Sequence, residues 1–362
     1  MNPISRAGII LNAARINNKI FIKLCEEFGA EELFLNRNIL SELKLTDIQQ
    51  KRILKLLEKD SWPEIEINKA EKFGAKFITF YDLDYPNKLK NIKNPPIGLY
   101  IKGNADLNLN SVAVVGTRKC SIYGQNTAFE IAKELAKTGI NIISGGALGI
   151  DAAAHRGCLS VDGVTVAVFG TAIDKIYPAE HKDLFNRIIE RGSIISEYPI
   201  SIGGEGWHFP ERNRLIVGLS ENVVIVESPE DGGAMYNAKH AKDSGRKLWS
   251  VPGRVSDELS KGTNFLISDG AKILNDIDAF IKEISGQSPQ LEINFNSEEI
   301  TPDLDDDEKI IYAFIQRNGN ITLDEIVSRT GLNIITVQTA LINLQSLNLI
   351  NSSGGGRFSA EA

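Results

Sequence analysis

VAVVGTRKCSIYG (112–124) joins a run of four apolar residues to a glycine-bearing loop and then to a serine placed to open a helix. The stretch reads as strand, tight loop and helix. The same pattern repeats. Apolar runs follow at INIIS (140–144), TVAVFG (165–170), SIISE (193–197), NVVIVE (222–227) and KLWSV (247–251), with helical stretches such as 122–137 and 233–244 between most of them. Short continuous apolar strands that alternate with helices belong to a parallel sheet covered on both faces. Residues 105–285 are therefore expected to form an α/β fold with a doubly wound, Rossmann-like sheet. Its ligand crevice lies beyond the carboxyl ends of the strands.

The flanks have a different grammar. Residues 6–60 place Leu24, Phe28, Leu33, Leu35, Leu40 and Leu43, with Ile48, Ile53 and Leu57, at helical spacings between turn formers, which predicts several short helices. FITF (77–80) and GLYIKGN (98–104) read as strands around a turn-rich stretch. The tail from Asp303 reads as helix, short strand, helix, helix and a glycine-tipped hairpin, the layout of a winged helix-turn-helix. We divide the chain into a helical domain (1–66), an α/β domain (67–286), a linker (287–304) and a winged-helix domain (305–362).

The length of 362 residues fits two to three domains, and 42% hydrophobic with 24% charged residues fits a globular protein with a large core. Three widely spaced cysteines, an odd count, argue against a disulfide framework and for a reducing compartment. The first thirty residues lack the apolar core of a signal peptide, and no stretch approaches the length of a membrane span. A cytoplasmic location with no membrane partner is expected. The net charge of −7 is unevenly spread: residues 287–308 hold eight acids and no base, whereas residues 1–104 carry a net +4. An acidic, proline-bearing, amide-rich run reads as an extended linker. The overall acidity thus leaves room for a nucleic-acid ligand, provided that a local patch binds it. The last helix of the tail, its candidate recognition helix, is a poor candidate for that patch. Leu332 to Asn351 contain no Lys or Arg, and phosphate contacts need cations. We read the tail as a protein-contact or structural module.

Four loops at strand ends carry the chemistry. In GTRKCSIYG (116–124), Gly116 lets the backbone approach a ligand, Thr117 and Ser121 offer hydroxyls, and Arg118 supplies a planar donor fork beside a helix N-terminus. The plain alternative is a tight turn with a solvated arginine. In SGGALGIDAAAH (144–155), Ser144, Gly145 and Gly146 leave bare backbone. Asp151 and His155, one helical turn apart, invite a catalytic or metal reading, against a helix cap and a packed histidine. The latter is preferred, since no third ligand or nucleophile is in view. In FPERNRLIVGLS (209–220), Arg212, Asn213 and Arg214 follow Trp207 and Phe209, a set that suits a phosphodiester with stacked bases, while surface ion pairs with Glu205 or Glu211 are the alternative. ESPEDGGAMYNAKHA (227–241) sets a glycine pair at a further helix start. The four histidines show no metal-binding spacing, no cysteine pair has the CxxC spacing, Cys120 has no base beside it, and no GxSxG elbow occurs. Anion cradles without a nucleophile fit binding better than catalysis, and no cofactor is expected.

Taken in order, these loops resemble the DprA/Smf family of DNA-processing proteins. The matching pieces are GTRKCSIYG, SGGALGIDAAAHRG, TVAVFGTAIDKIYPAEH, GSIISEYP, FPERNRLIVGLS and VPGRVSDELSKGTNFLISDGA, with DLDYPNKLKNIKNPPIGLYIKGN upstream. The resemblance spans about residues 80–285. It implies a non-catalytic protein that binds single-stranded DNA cooperatively as a homodimer and loads the RecA recombinase onto it in natural transformation. It implies a SAM-like or helix-hairpin-helix-like unit at residues 1–66. It also implies DNA contacts at Gly116, Thr117, Arg118, Ser121, Ser144, Gly145, Gly146, Phe209, Arg212, Asn213 and Arg214. Lys175 and Lys239 are further candidate cations. A dimer surface is implied at Phe265, Leu266 and Ile267 of GTNFLISDGAKIL (262–274). Two departures stand out: Leu148 replaces a residue that is basic in many members, and GGAMYNAKHA replaces the usual serine- and threonine-bearing loop. A rival reading is a nucleotide-processing enzyme resembling the lysine-decarboxylase-like phosphoribohydrolases, but their PGGxGT loop is here EDGGAMYN.

The charge pattern generates a prediction. Removing residues 287–362 leaves single-strand affinity undiminished in a gel shift, and slightly raised at low salt, where eight linker acids are least screened. A large drop in affinity would move DNA binding to the tail.

Overall fold

The computed structural model describes residues 1–59, 61–200, 204–285, 304–318, 321–347, 349–353 and 356–360. The chain divides into two compact units, Met1–Pro289 and Gln290–Ala362. The linker expected at 287–304 lies outside the described residues, apart from Leu304.

The first unit is built on a nine-stranded sheet. In chain order its strands are β1 Lys76–Thr79, β2 Gly98–Gly103, β3 Ser111–Val115, β4 Asn141–Ser144, β5 Thr165–Phe169, β6 Ser193–Ser196, β7 Asn222–Ile225, β8 Lys247–Ser250 and β9 Lys272–Ile273. They lie in the order β1-β2-β6-β5-β4-β3-β7-β8-β9. All pairings from β6 to β9 are parallel, while β2 is antiparallel to β6 and to β1. The sheet therefore extends beyond the 105–285 segment, because the hairpin of residues 76–103 adds to its edge. Alternation along each strand supplies the two faces. Val112, Val114 and Val224 pack with helices Ile122–Lys137 and Ile150–Leu159, and with Phe280 of Ile277–Ile284. Ala113, Val115, Val223 and Ile225 pack with helices His208–Gly218 and Met235–Asp243. The chain runs from β3 outward to β6 and then crosses back to β7 beside β3. The β3–β7 seam is thus where the direction of strand succession reverses.

The N-terminal helices Pro3–Ala13, Asn18–Lys23 and Asp47–Leu57 enclose their own core of Ile10, Phe21, Leu24, Leu33, Leu40 and Ile53, which Ile97 of the α/β body joins. The expected boundary at 66/67 falls inside helix Trp62–Lys72. That helix is tied to the sheet by the buried Glu66 carboxylate, which accepts hydrogen bonds from the Tyr100 hydroxyl (2.9 Å) and the Ile200 amide (2.6 Å). Burial raises the pKa of Glu66 above the usual carboxylate value.

The second unit contains helices Asp306–Asn318, Leu323–Thr330 and Ile334–Ser346 and strands β10 Ile321–Thr322, β11 Ile350–Ser353 and β12 Arg357–Ala360, in sheet order β10-β12-β11. Ile311, Ile315, Ile326, Val337, Leu341 and Leu344 fill its core. Thr322 and Glu325 form a reciprocal capping box at the start of its middle helix. No helix among the described residues is long and apolar enough to cross a membrane.

One expected surface residue is not at the surface. Leu266 is 3% exposed and belongs to the main core, whereas its neighbour Phe265 is 47% exposed. Helix Glu258–Ser268 turns by about 100° per residue, so these adjacent side chains point apart, and Leu266 drops out of the dimer surface assigned to Phe265, Leu266 and Ile267. Truncating Leu266→Ala should cost about 2–5 kcal/mol in chemical denaturation. Phe265→Ala, on the exposed face, should stay within about 0.5 kcal/mol.

Candidate functional site

Where β3 and β7 lie side by side, the loops that follow them diverge, and a cleft of about 820 Å³ opens at the carboxyl edge of the sheet. One wall is the post-β3 loop. Gly116 passes so close to its neighbours that a Cβ there would stand 2.5 Å from Ile150 Cγ1 and 2.8 Å from the Glu227 carbonyl. The Thr117 amide donates to that carbonyl at 2.8 Å, which fixes the direction of the loop. Gly116, Thr117, Arg118 and Lys119 all line the cleft.

The helix N-terminus beside this loop is already filled. Ser121 Oγ accepts from the Gly124 amide (3.0 Å) and donates to the Glu227 carboxylate, which also accepts from the Ser121 amide at 2.9 Å. Glu227 is 2% exposed and lies against Gly124. A carboxylate of the protein itself therefore occupies the positive end of helix Ile122–Lys137, the place expected to bind phosphate. Ser121 is turned to that carboxylate. The Cys120 thiol pKa is raised by burial and by Glu227, so it is not an activated nucleophile.

Arg118 is exposed, and its guanidinium lies 5.2 Å from the ring centre of Phe209. Tyr177, 53% exposed, approaches the same ring with centroids 5.3 Å apart, and Leu148 borders the same spot. None of the ion pairs among the described residues involves Arg118. A free planar cation and two aromatic rings thus stand together at the cleft mouth.

The post-β4 loop has a different role. Ser144 is fully buried and donates to the Val114 carbonyl at 2.7 Å. Gly146 sits at φ +70° with Phe185 beneath it, and Gly145 is held from both sides. Its amide donates to Asp151 (3.1 Å), and its carbonyl accepts from Arg212 Nη1 (2.7 Å), which also bonds the Val168 carbonyl. Neither Ser144 nor the two glycines line the cleft; Ala147 and Asp151 do. Burial raises the Asp151 pKa against the pull of Arg212, and lowers that of Arg212 to about 10 against the pull of Asp151. His155 Nδ1 meets Thr165 Oγ1 at 2.7 Å, and burial depresses its pKa to about 3. Asp151 and His155 are thus a loop clamp and a neutral packed ring. Among the described residues no group of His, Cys, Asp and Glu could hold a metal.

The two arginines of RNR part company. Residues two apart on a helix diverge by about 200°, so Arg212 turns to the sheet edge while Arg214 turns away. Arg214 pairs with Glu197 through both carboxylate oxygens. Burial opposes its charge, but Glu197 more than compensates and its pKa is raised. It lines a separate pocket of about 650 Å³ together with Arg15, Trp207 and His208. Asn213 remains on the cleft. Lys175 and Lys239 are exposed, and neither lines the cleft. Sequence reasoning missed Tyr177, Glu227 and Asn237. Glu227 had a signal: it is the charge that ends the otherwise apolar run NVVIVE.

Residues 76–285 match the family model of DNA recombination-mediator protein A. Over 326 residues the chain is 34% identical to protein Smf of Synechocystis, covering 81% of this chain and 82% of that protein. It is 33% identical over 219 residues to DNA processing protein DprA of Bacillus subtilis, covering 60% and 74%. The X-ray structure of DprA from Streptococcus pneumoniae superposes with a TM-score of 0.67 at 29% identity, covering 77% of this chain and 96% of that one. DprA from Helicobacter pylori, whose structure was described for its single-stranded DNA binding mode, superposes at 0.53 and 32% identity, covering 58% and 95%. On this sequence, this sheet and these loops, the chain belongs to the DprA/Smf family of DNA recombination mediators.

Proposed function

We propose that this protein binds single-stranded DNA in the β3–β7 cleft and loads RecA recombinase onto it, acting as a cytoplasmic homodimer in natural transformation. The observation that carries the reading is Arg118, an unpaired exposed cation lying over Phe209 with Tyr177 beside it. A guanidinium for the backbone and aromatic faces for the bases are the two ingredients of sequence-tolerant single-strand binding. The DNA-binding relative from Helicobacter pylori shares 32% identity over 58% of this chain. Turnover is disfavoured by the state of the two nearby acids, since Glu227 and Asp151 are both spent on holding their own loops. Thr117 and Asn213 serve the same cleft, while Lys175 and Lys239 lie outside its lining. Ser121, Ser144, Gly145, Gly146 and Arg212 support the interface from behind.

The second unit fits a winged helix used for protein contact. Its helix Ile334–Ser346 carries no charge and exposes Ile335 and Ile342. The homodimer is assigned to the accessible part of Glu258–Ser268, with Phe265 and the half-buried Ile267 as its apolar residues.

Two outcomes follow. Arg118→Ala should weaken binding of all single strands alike, because phosphate carries no base information, and flatten the salt dependence by about 0.7 for each phosphate no longer neutralised. Arg118→Lys should restore only part of the affinity, since a point charge lacks the fork. A folded Arg118→Ala protein with unchanged affinity and salt slope would refute the assignment. For assembly, Phe265→Asp should yield a folded monomer in light scattering with less cooperative binding; a dimer of undiminished strength would place the interface elsewhere.

A further inference from the structure

The pocket of about 650 Å³ that Arg214 lines lies between the N-terminal helices and the α/β body, and no described residue lines both it and the β3–β7 cleft. Its size is that of a small-molecule site, which commonly holds about 300–1,000 Å³. Its charges cancel in place. Glu211 pairs with Arg15, Glu197 pairs with Arg214, and Glu205 accepts from the Trp207 indole. Arg52 is exposed and enters none of the ion pairs found among the described residues. It stands three positions after Gln49 on helix Asp47–Leu57, so both face the pocket. A strand of several phosphates would meet three carboxylates here and gain one free cation. A ligand with a single phosphate is matched by Arg52.

The amide of Asn18 decides what the pocket can recognise. Asn18 is 2% exposed and lines the pocket, and both its Oδ1 and its Nδ2 are buried without a hydrogen-bond partner. Arg214 adds a third such atom, Nη1, because its bonds to Glu197 run through Nη2. Buried donors and acceptors left unmet cost free energy until a ligand meets them. A carboxamide with both atoms open complements the adjacent donor and acceptor of a nucleobase edge, the pairing that asparagine makes with adenine. Trp207, 50% exposed with the Arg15 guanidinium over its ring, offers an aromatic surface for stacking. We infer that this pocket binds a free purine mononucleotide, with Asn18 on the base edge, Trp207 against the ring and Arg52 at the phosphate. The site is separate from the proposed single-strand binding. Its walls come from the N-terminal helices and from helix His208–Gly218, so a bound nucleotide clamps the two together.

The test uses the full chain with adenosine monophosphate, adenosine and ribose 5-phosphate in equilibrium dialysis. Adenosine monophosphate should bind and raise Tm, since a ligand of the folded state stabilises it. Ribose 5-phosphate, which lacks the base, should do neither. Asn18→Ala should weaken the nucleotide and adenosine alike by roughly tenfold, the range of two hydrogen bonds lost. Arg52→Ala should weaken the nucleotide several-fold and leave adenosine unchanged. Neither change should alter affinity for oligo-dT, which separates a free nucleotide from a bound strand. Thermal melting reports whether Asn18→Ala folds; should it not, Asn18→Ser makes the same comparison. Absence of nucleotide binding by the wild-type protein, or unchanged affinity in a folded Asn18 variant, would overturn the inference and leave the DNA-binding reading intact. A loss of oligo-dT affinity in a folded Asn18 variant would give the pocket to the strand and overturn it equally. A wild-type protein that binds the nucleotide but not oligo-dT would overturn the single-strand reading alone.

Discussion

A buried guanidinium holds the carboxyl edge of the sheet together. Arg212 bonds the carbonyl of Gly145, just after β4, and that of Val168 in β5, and Asp151 holds the Gly145 amide from the other side. Even with its pKa lowered to about 10 by burial, Arg212 stays charged at neutral pH. Each charge offsets the other across Gly145, so removing either leaves the other buried without compensation. What this tie secures is a position. Phe209 stands one turn before Arg212 on the same helix, so fixing the arginine against two strands fixes the ring that faces Arg118.

Glu227 sets a second constraint, on charge. Open α/β sheets commonly take an anion on the first helix after the switch point. Here the last acid of the β7 run reaches across and satisfies that helix end from within, accepting from both the amide and the hydroxyl of Ser121. Negative charge is thereby placed behind the cleft, and the free positive charge is displaced forward to Arg118 and Lys119. The cleft lining thus carries its exposed cations at Arg118 and Lys119, and apolar side chains with the Asn213 and Asn237 carboxamides among its buried residues.

The N-terminal helices take part in this arrangement. Arg15 lies 4.1 Å from the ring centre of Trp207, bonds His208 Nε2 at 3.0 Å and pairs with Glu211 at 2.5 Å. His208 in turn stacks on Tyr198 with ring centroids 4.1 Å apart. These contacts grip the start of the helix that carries Phe209 and Arg212. Burial, aided by Arg15, lowers the His208 pKa below its usual value. A segment with its own core thus also braces the cleft.

The amino-acid sequence by itself determined the α/β class, the alternation of strands and helices, and the strand-end position of the functional loops. Those follow from local periodicity and from residues such as Gly116 and Ser121, whose roles as loop and cap are written in their immediate neighbours. It also singled out Arg118 and Phe209, since a lone arginine after a strand-end glycine and an aromatic before a helix are local signals. What each polar side chain faces was decided only by the tertiary structure. Arg212 and Arg214 look equivalent in RNR, yet the helical twist sends one to two strand-end carbonyls and the other to Glu197. Ser144 and Leu266 read as accessible, and packing buries both. Glu227 meets Ser121 across 106 positions of chain, and Tyr177 reaches the cleft from a loop while Asn237 reaches it from the first turn of helix Met235–Asp243. No periodicity in the chain encodes a contact closed across the seam between β3 and β7.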